Sequence, residues 1–151
     1  MSNSSNGTFD SRYGVVHMSY PGPKADPPYG NVNWYRRPEG DVRLQGPALR
    51  SFKEAEIAAT PRRLRRKGKI LPILITGVGY RSWAAQKDLY DTDHQRYADP
   101  DESMHVEALA VDIDMTQSII RRAKIKYQLK KRGWFYEVDG EPWHASFRLP
   151  G

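Results

Sequence analysis

Apolar and polar residues recur along this chain with two different periods, and each change of period marks an element. From Pro47 to Ala59, Leu49, Phe52 and Glu56 stand at helical spacing, with a proline near the start where its missing N–H does no harm. Pro61 interrupts that helix or opens a second, basic helical turn that ends at Gly68. The run Ile70-Leu-Pro-Ile-Leu-Ile-Thr76 reads as a buried strand, with Pro72 at its early or edge part. A glycine turn, Gly77-Val-Gly79, follows, and Trp83 to Tyr90 is a short helix. Leu109 to Asp114 then alternates with period two: Leu109, Val111 and Ile113 on one face, Ala110, Asp112 and Asp114 on the other. Thr116 is expected to cap a long helix reaching about Arg132, with Ile119, Ile120, Ala123 and Tyr127 as its inner stripe and Gly133 as its stop. Trp134 to Val138 and Trp143 to Leu149 pattern as a hairpin joined around Asp139-Gly140. In its second strand His144, Ser146 and Arg148 share a face.

Strands separated by short turns, interleaved with helices, predict an α+β fold: a small antiparallel sheet with helices packed on one side. The compact part is expected to run from 42 to 151. Residues 1–41 lack apolar periodicity and carry Pro21, Pro23, Pro27 and Pro28 among scattered tyrosines, so they read as an N-terminal arm, draped over the domain or available to a partner.

At 151 residues the chain suits one domain with a modest core. It has no cysteine, which excludes disulfides and a thiolate-bound structural zinc. Its longest apolar run, Ile70 to Val78, is too short to span a bilayer, so no membrane partner is expected. The first residues show neither a charged nor an apolar signal region, so the protein is expected to be made in the cytoplasm. A net charge of +6 points to an anionic partner, with the basic residues gathered in 62–69 and 121–132. A bacterial cell wall and nucleic acid are both candidates. Nucleic acid ranks low, because no recognition motif accompanies the charge; a plain solvated helical face is the alternative for each run.

The chemistry concentrates in two stretches, Ser103 to Asp112 and Glu141-Pro-Trp-His144. His105, Asp112 and His144 supply two imidazoles and one carboxylate, a typical three-residue set for one catalytic zinc with a position left for water. Asp112 and His144 come from two strands that can aim them into one cleft, and His105 precedes its strand by a loop. Glu141, three residues before a ligand, can reach that water as a general base.

These stretches read Ser103-x-His105-x-x-Ala108-x-Ala110-x-Asp112 and Glu141-x-Trp143-His144, which closely resembles the paired SxHxxGxAxD and ExWH motifs of the VanY-like zinc peptidases. That group contains D-Ala-D-Ala carboxypeptidases and L-Ala-D-Glu endopeptidases. Gly79-Tyr-Arg-Ser82, followed by Gln86, is similar to its SGYRS…Q segment, so the likeness runs from about Leu44 to Phe147 in the same order. Gln45-Gly-Pro, Arg96-Tyr97 and Glu141-Pro-Trp-His144 look most like the peptidase domains of actinobacteriophage endolysins. The resemblance implies a VanY/hedgehog-like fold with zinc in a cleft on the sheet. It implies His105, Asp112 and His144 as ligands of one zinc ion, Glu141 as catalytic base, and Arg81 as a group that binds and polarises substrate. Gln86 and Ser103 would line the site and contact substrate, or simply satisfy loop backbone, and Trp143 would be a wall of the substrate site that orients its neighbours. The implied substrate is the stem peptide of peptidoglycan, reached after release from the host cell or from within a virion.

The chain departs from the motif at Ala108, where the family carries glycine, and at Gly77-Val78, where it carries serine before Gly-Tyr-Arg-Ser. A left-handed conformation at Ala108 would cost roughly 1 kcal/mol. Asp114 is expected to orient His105 or His144 or to cap the next helix, Glu107 to be solvated, and His17 and His94 to stay outside the metal set. The rival reading is a catalytically weak or inactive peptidase fold retained as a virion protein, its arm docking a neighbouring subunit. The intact Glu141 argues against it.

Overall fold

The computed structural model describes residues 32–149. His17 and most of the arm expected over 1–41 lie outside the described residues. Strand β1 (Val32–Tyr35) nevertheless falls within that arm and pairs antiparallel with β2 (Val42–Gln45), so the folded unit starts N-terminal to Val42. Composition hid this strand, because Asn33 and Trp34 are exposed and Val32 and Tyr35 only partly buried, so it shows no fully apolar face although Tyr35 packs against the core.

Helix α1 (Gly46–Ala58) follows β2 directly with Pro47 in its first turn, and buries Leu49, Phe52 and Ala55. A single basic turn, α2 (Arg62–Arg65), comes next. The chain then runs extended to β3, which comprises only Ile75–Thr76 instead of the whole 70–76 segment. Side chains take the place of a strand ladder here. Thr60 Oγ1 accepts from Leu71 N–H at 3.0 Å, Glu56 Oε2 from Ile73 N–H at 3.0 Å and Gln117 Oε1 from Leu74 N–H at 3.1 Å. Pro72, with no N–H to give, sits among them.

Helix α3 (Trp83–Thr92) is capped by Ser82, whose hydroxyl accepts from Ala85 N–H at 3.0 Å. Strand β4 (Ala110–Ile113) leads to α4 (Ile119–Lys130), and β5 (Trp134–Phe135) and β6 (His144–Phe147) close the chain. The cap of α4 is Ser118, not Thr116; Asp114 folds back on Thr116 N–H and hydroxyl instead, and does not orient a histidine. The inner stripe of α4 also differs from expectation. Ile125 and Leu129 are buried, whereas Ile119 and Ile120 are 75% exposed and Tyr127 is 60% exposed. Arg121 fixes this rotation: it lies one turn before Ile125 and gives its guanidinium to the carbonyls of Ala59, Leu71 and Pro72.

The main sheet is antiparallel throughout, in the order β3-β4-β6-β5. One contiguous core joins β2, α1, α4 and this sheet, with Leu44, Phe52, Ile73, Ile125 and Leu129 among its fully buried members. Each such side chain removed from water contributes roughly 1.5–3 kcal/mol. Trp134 packs edge-on to Phe52 and donates its indole N–H to Ser51 at 3.0 Å, so β5 is pinned to α1. The architecture is the α+β arrangement the patterning predicts. No helix among the described residues is long and apolar enough to cross a membrane.

The β1–β2 ribbon anchors the loops around His105. Arg43 pairs with Val78 and Tyr80 through two backbone hydrogen bonds of 2.7 and 3.0 Å, and Gln45 N–H donates to Ala108 O at 3.0 Å. The turns that flank His105 are thereby fastened to a rigid element.

Candidate metal centre

Period-two alternation sends Asp112 of β4 to the face opposite Val111 and Ile113, and antiparallel register sets it directly across from His144 of β6. His105 arrives from the loop before β4, buried to 7% exposure. His105 Nε2 lies 3.2 Å and His144 Nδ1 lies 3.4 Å from Asp112 Oδ1. The two imidazole rings stand edge to face, 5.1 Å between centroids. One ligand atom from each residue lies within 4.8 Å of the others, the only such group of three among the described residues.

The remaining ring nitrogens are already engaged. His105 Nδ1 donates to Gly79 O at 2.8 Å, which leaves Nε2 to face Asp112. His144 Nε2 sits 2.9 Å from Ser146 Oγ and 3.2 Å from Glu137 Oε2, which leaves Nδ1 to face Asp112. A partner on the far nitrogen fixes ring orientation and tautomer, the usual arrangement for metal-binding imidazoles. Two such histidines and a carboxylate fit zinc by chemistry and by spacing.

Electrostatics agree. Burial raises the Asp112 carboxyl, but hydrogen bonds and charge from His105 and His144 outweigh it and hold the group well below its ordinary range. Burial likewise opposes the His144 imidazolium, and Asp112 and Glu137 together overcome this and raise it to about 9. The buried Glu137 carboxyl is lowered by its contacts with His144 and Ser146. Both carboxylates are thus held ionised against the imidazoles, a charge arrangement in which a metal cation could replace the His144 proton.

A cleft of about 820 Å³ opens over these residues. Arg81, Gln86, Ser103, Glu141 and Trp143 all line it together with the three ligand candidates, so every site residue read from the sequence converges on one space. Arg81 stands just before α3, tied by its N–H to His105 O at 3.0 Å and by Nη1 to Gln86 Oε1 at 2.6 Å. Gln86, only 2% exposed, gives its amide N–H to Ala98 O at 2.7 Å. With both ends of its amide engaged inside the protein, Gln86 holds Arg81 and the 98 loop in place. His94, outside the metal set, lines the cleft with its Nδ1 2.9 Å from Tyr90 O. Glu107 is buried at 3% exposure, not solvated. The turn that carries it is enclosed, and Gln45 Nε2 donates to its carbonyl oxygen.

Glu137 is the residue that sequence reading missed. The structure reveals it through strand register: Trp134 pairs with Phe147 and Phe135 with Ser146, and the same register continued two residues sets Glu137 opposite His144. Ala108 has φ of 57°, the one left-handed residue other than glycine among those described. The glycine that the resembled motif carries at this place therefore has a conformational reason.

No protein-family model matches the chain, and no curated protein does. Solved structures do. VanYB in complex with D-alanine-D-alanine superposes with a TM-score of 0.56 over 80% of each chain at 18% identity. A vancomycin-resistance D,D-pentapeptidase VanY variant from a VanB-type cassette, in complex with Zn(II), gives 0.54 at 19% identity, over 84% of this chain and 83% of that one. The LD-carboxypeptidase LdcB gives 0.52 at 20% identity, over 78% of this chain and 64% of its own.

Proposed function

From a fold shared with VanY and LdcB, we infer that this protein is a zinc-dependent peptidase acting on the peptide stem of peptidoglycan. The observation that carries this reading is the His105–Asp112–His144 cluster, its ligand atoms within 4.8 Å, at the base of a cleft lined by Glu141 and Arg81. The likeness to VanYB bound to D-alanine-D-alanine, to a D,D-pentapeptidase and to an LD-carboxypeptidase that recognises peptidoglycan supports the substrate class.

One zinc ion held by His105 Nε2, Asp112 Oδ1 and His144 Nδ1 would supply a Lewis acid that acidifies water and polarises a carbonyl. The chain's own residues do the rest. Glu141 takes a proton from the attacking water as its oxygen bonds to the carbonyl carbon. As the C–N bond breaks, Glu141 returns that proton to the leaving amine. Arg81, steadied by Gln86, presents its planar guanidinium to the carbonyl oxygen on which charge develops, or to a substrate carboxylate. Ser103 and Trp143 complete the walls, Trp143 as an apolar surface beside the base.

The cleaved bond is either D-Ala-D-Ala or L-Ala-D-Glu, since one ligand set serves both. The exposed basic residues of α2 and α4 favour retention on an anionic wall. A lytic role in a phage, with the enzyme made in the host cytoplasm and delivered by lysis or in a virion, is the biological setting we favour from the motif pattern.

Digestion of purified peptidoglycan by zinc-loaded protein, beside Glu141→Gln, with mass spectrometry of the fragments, tests the proposal. New termini that depend on Glu141 identify both activity and bond. Zinc bound, fold intact and no cleavage would replace the enzyme with a structural role.

A further inference from the structure

Glu137 has no place in the proposed hydrolysis, yet it stands behind a proposed ligand. It follows β5 on the strand side that faces β6, and its Oε2 accepts from Ser146 Oγ at 2.7 Å and lies 3.2 Å from His144 Nε2. Ser146 Oγ is itself 2.9 Å from His144 Nε2. Ser146 is fully buried, and the other Glu137 oxygen, Oε1, is buried with no hydrogen-bond partner. A carboxylate withdrawn from water in this way is expensive unless a cation or donor compensates it. Its side-chain hydrogen bonds to other residues end on His144 and Ser146, so the element it holds in place is the His144 ring.

We propose that Glu137, with Ser146, is a positioning residue for metal binding: the pair fixes the His144 ring so that Nδ1, and not Nε2, faces Asp112. The inference rests on the peptidase reading only in taking the His105–Asp112–His144 cluster as a metal site. An imidazole flipped about its Cβ–Cγ bond would turn the liganding nitrogen away from Asp112. The hydrogen bond to Oε2 is lost in that flip, so the carboxylate selects one orientation. A negative charge on the far side of the ring also makes the liganding nitrogen a stronger donor. Backbone register allows no substitute from the neighbouring strand, since Asp112 occupies the position across from His144 on its other side.

The test is zinc affinity by chelator competition on wild type, Glu137→Ala and Glu137→Gln, together with thermal unfolding of each protein stripped of metal. Visible absorption of the cobalt(II)-loaded proteins reports the geometry of the site. Glu137→Ala is expected to bind zinc about 10–100-fold more weakly and to shift the cobalt bands. Glu137→Gln keeps a carbonyl acceptor for Nε2–H, and is expected to recover most of the affinity and the wild-type spectrum. If Glu137→Ala does not fold, the Gln variant and Ser146→Ala carry the test, with Ser146→Ala expected to weaken zinc binding by a smaller factor. Wild-type affinity and an unchanged cobalt spectrum in folded Glu137→Ala, or in Ser146→Ala should Glu137→Ala not fold, would overturn the role of Glu137. A wild-type protein that binds neither metal would overturn the metal site itself, and with it the peptidase reading. Wild-type zinc binding without peptidoglycan cleavage would remove that reading and leave the Glu137 inference standing.

Discussion

The carbonyl oxygen of Gly79 accepts the Nδ1–H of His105 at 2.8 Å, across 26 residues of sequence. One backbone atom thus decides which nitrogen of His105 faces Asp112 in the candidate metal site. Gly79 is held there by the ribbon, through the Arg43 hydrogen bonds to Val78 and Tyr80 on either side.

Gly79 has φ of +97°, and a Cβ there would meet Ala110 O and Leu44 Cδ2, both at 3.1 Å. Gly79→Ala is therefore expected to lose about 1–3 kcal/mol from backbone strain and overpacking together. Since the displaced carbonyl also releases His105, zinc affinity is expected to fall with it. Chemical denaturation and chelator competition measure the two losses. Unchanged affinity in a folded variant would separate Gly79 from the site.

Ala108 presents the opposite balance. Relief of its left-handed backbone in Ala108→Gly is worth about 1–2 kcal/mol. Against this stand the greater freedom of an unfolded glycine, about 0.4–1 kcal/mol, and a buried methyl group, about 0.8 kcal/mol. The terms nearly cancel. The midpoint of denaturation is expected to correspond to a change below about 1 kcal/mol. A large gain would show that the alanine strains the site loop, and activity would then be expected to rise too.

Gln86→Leu keeps the volume of a buried side chain but removes the acceptor for Arg81 and the donor for Ala98 O. A carbonyl left without its donor costs about 1–3 kcal/mol. In the peptidase reading Arg81 also loses its support, so kcat/KM against stem peptides is expected to drop at least about tenfold with zinc affinity unchanged. Equal turnover would show that Arg81 needs no steadying.

If the cluster holds metal as proposed, protons and metal compete at His144. Its folded pKa of about 9 exceeds the ordinary 6.5, so the stability it contributes to metal-free protein is complete below pH 6.5 and disappears as pH rises through about 9. Asp112 is shifted down from 3.8, so its contribution is present above pH 3.8 and disappears as pH falls through its folded value. From this pair, metal-free protein is most stable between pH 3.8 and 6.5. Zinc needs His144 neutral, so apparent zinc affinity is expected to rise about tenfold per pH unit toward pH 9. Calorimetric titration at about pH 6 and about pH 8 checks this, and a flat profile would contradict it.

Away from the cleft, Glu56 accepts from Tyr35 Oη, from Arg37 Nη1 at 2.5 Å and from Ile73 N–H at 3.0 Å, with both charged side chains 3% exposed or less. Glu56→Ala leaves Arg37 buried without its counter-charge, and such losses run to about 3–5 kcal/mol. Because this cluster joins β1, α1 and the segment before β3, its loss is expected to lower the unfolding midpoint of the whole domain as one transition. A surface-sized effect would place the salt bridge outside the cooperative core.

Local pattern was enough for whatever depends on near neighbours. Pro47 and the spacing of Leu49 and Phe52 specify α1, and alternation around Asp112 specifies β4 with its carboxylate on the face away from Val111. Residue types and their spacing also singled out His105, Asp112, Glu141 and His144, because few other chemistries use that combination. Tertiary structure decided matters that hang on distant partners. Side chains of Thr60, Glu56 and Gln117 consumed the backbone N–H groups of an expected strand, and Arg121 turned α4 so that Ile119 and Ile120 face water. It was also register across the β5–β6 turn that brought Glu137 behind His144, and the β1–β2 ribbon that aimed the carbonyl of Gly79 at His105. Sequence period reports which face of an element a residue occupies; only packing determines what stands opposite that face.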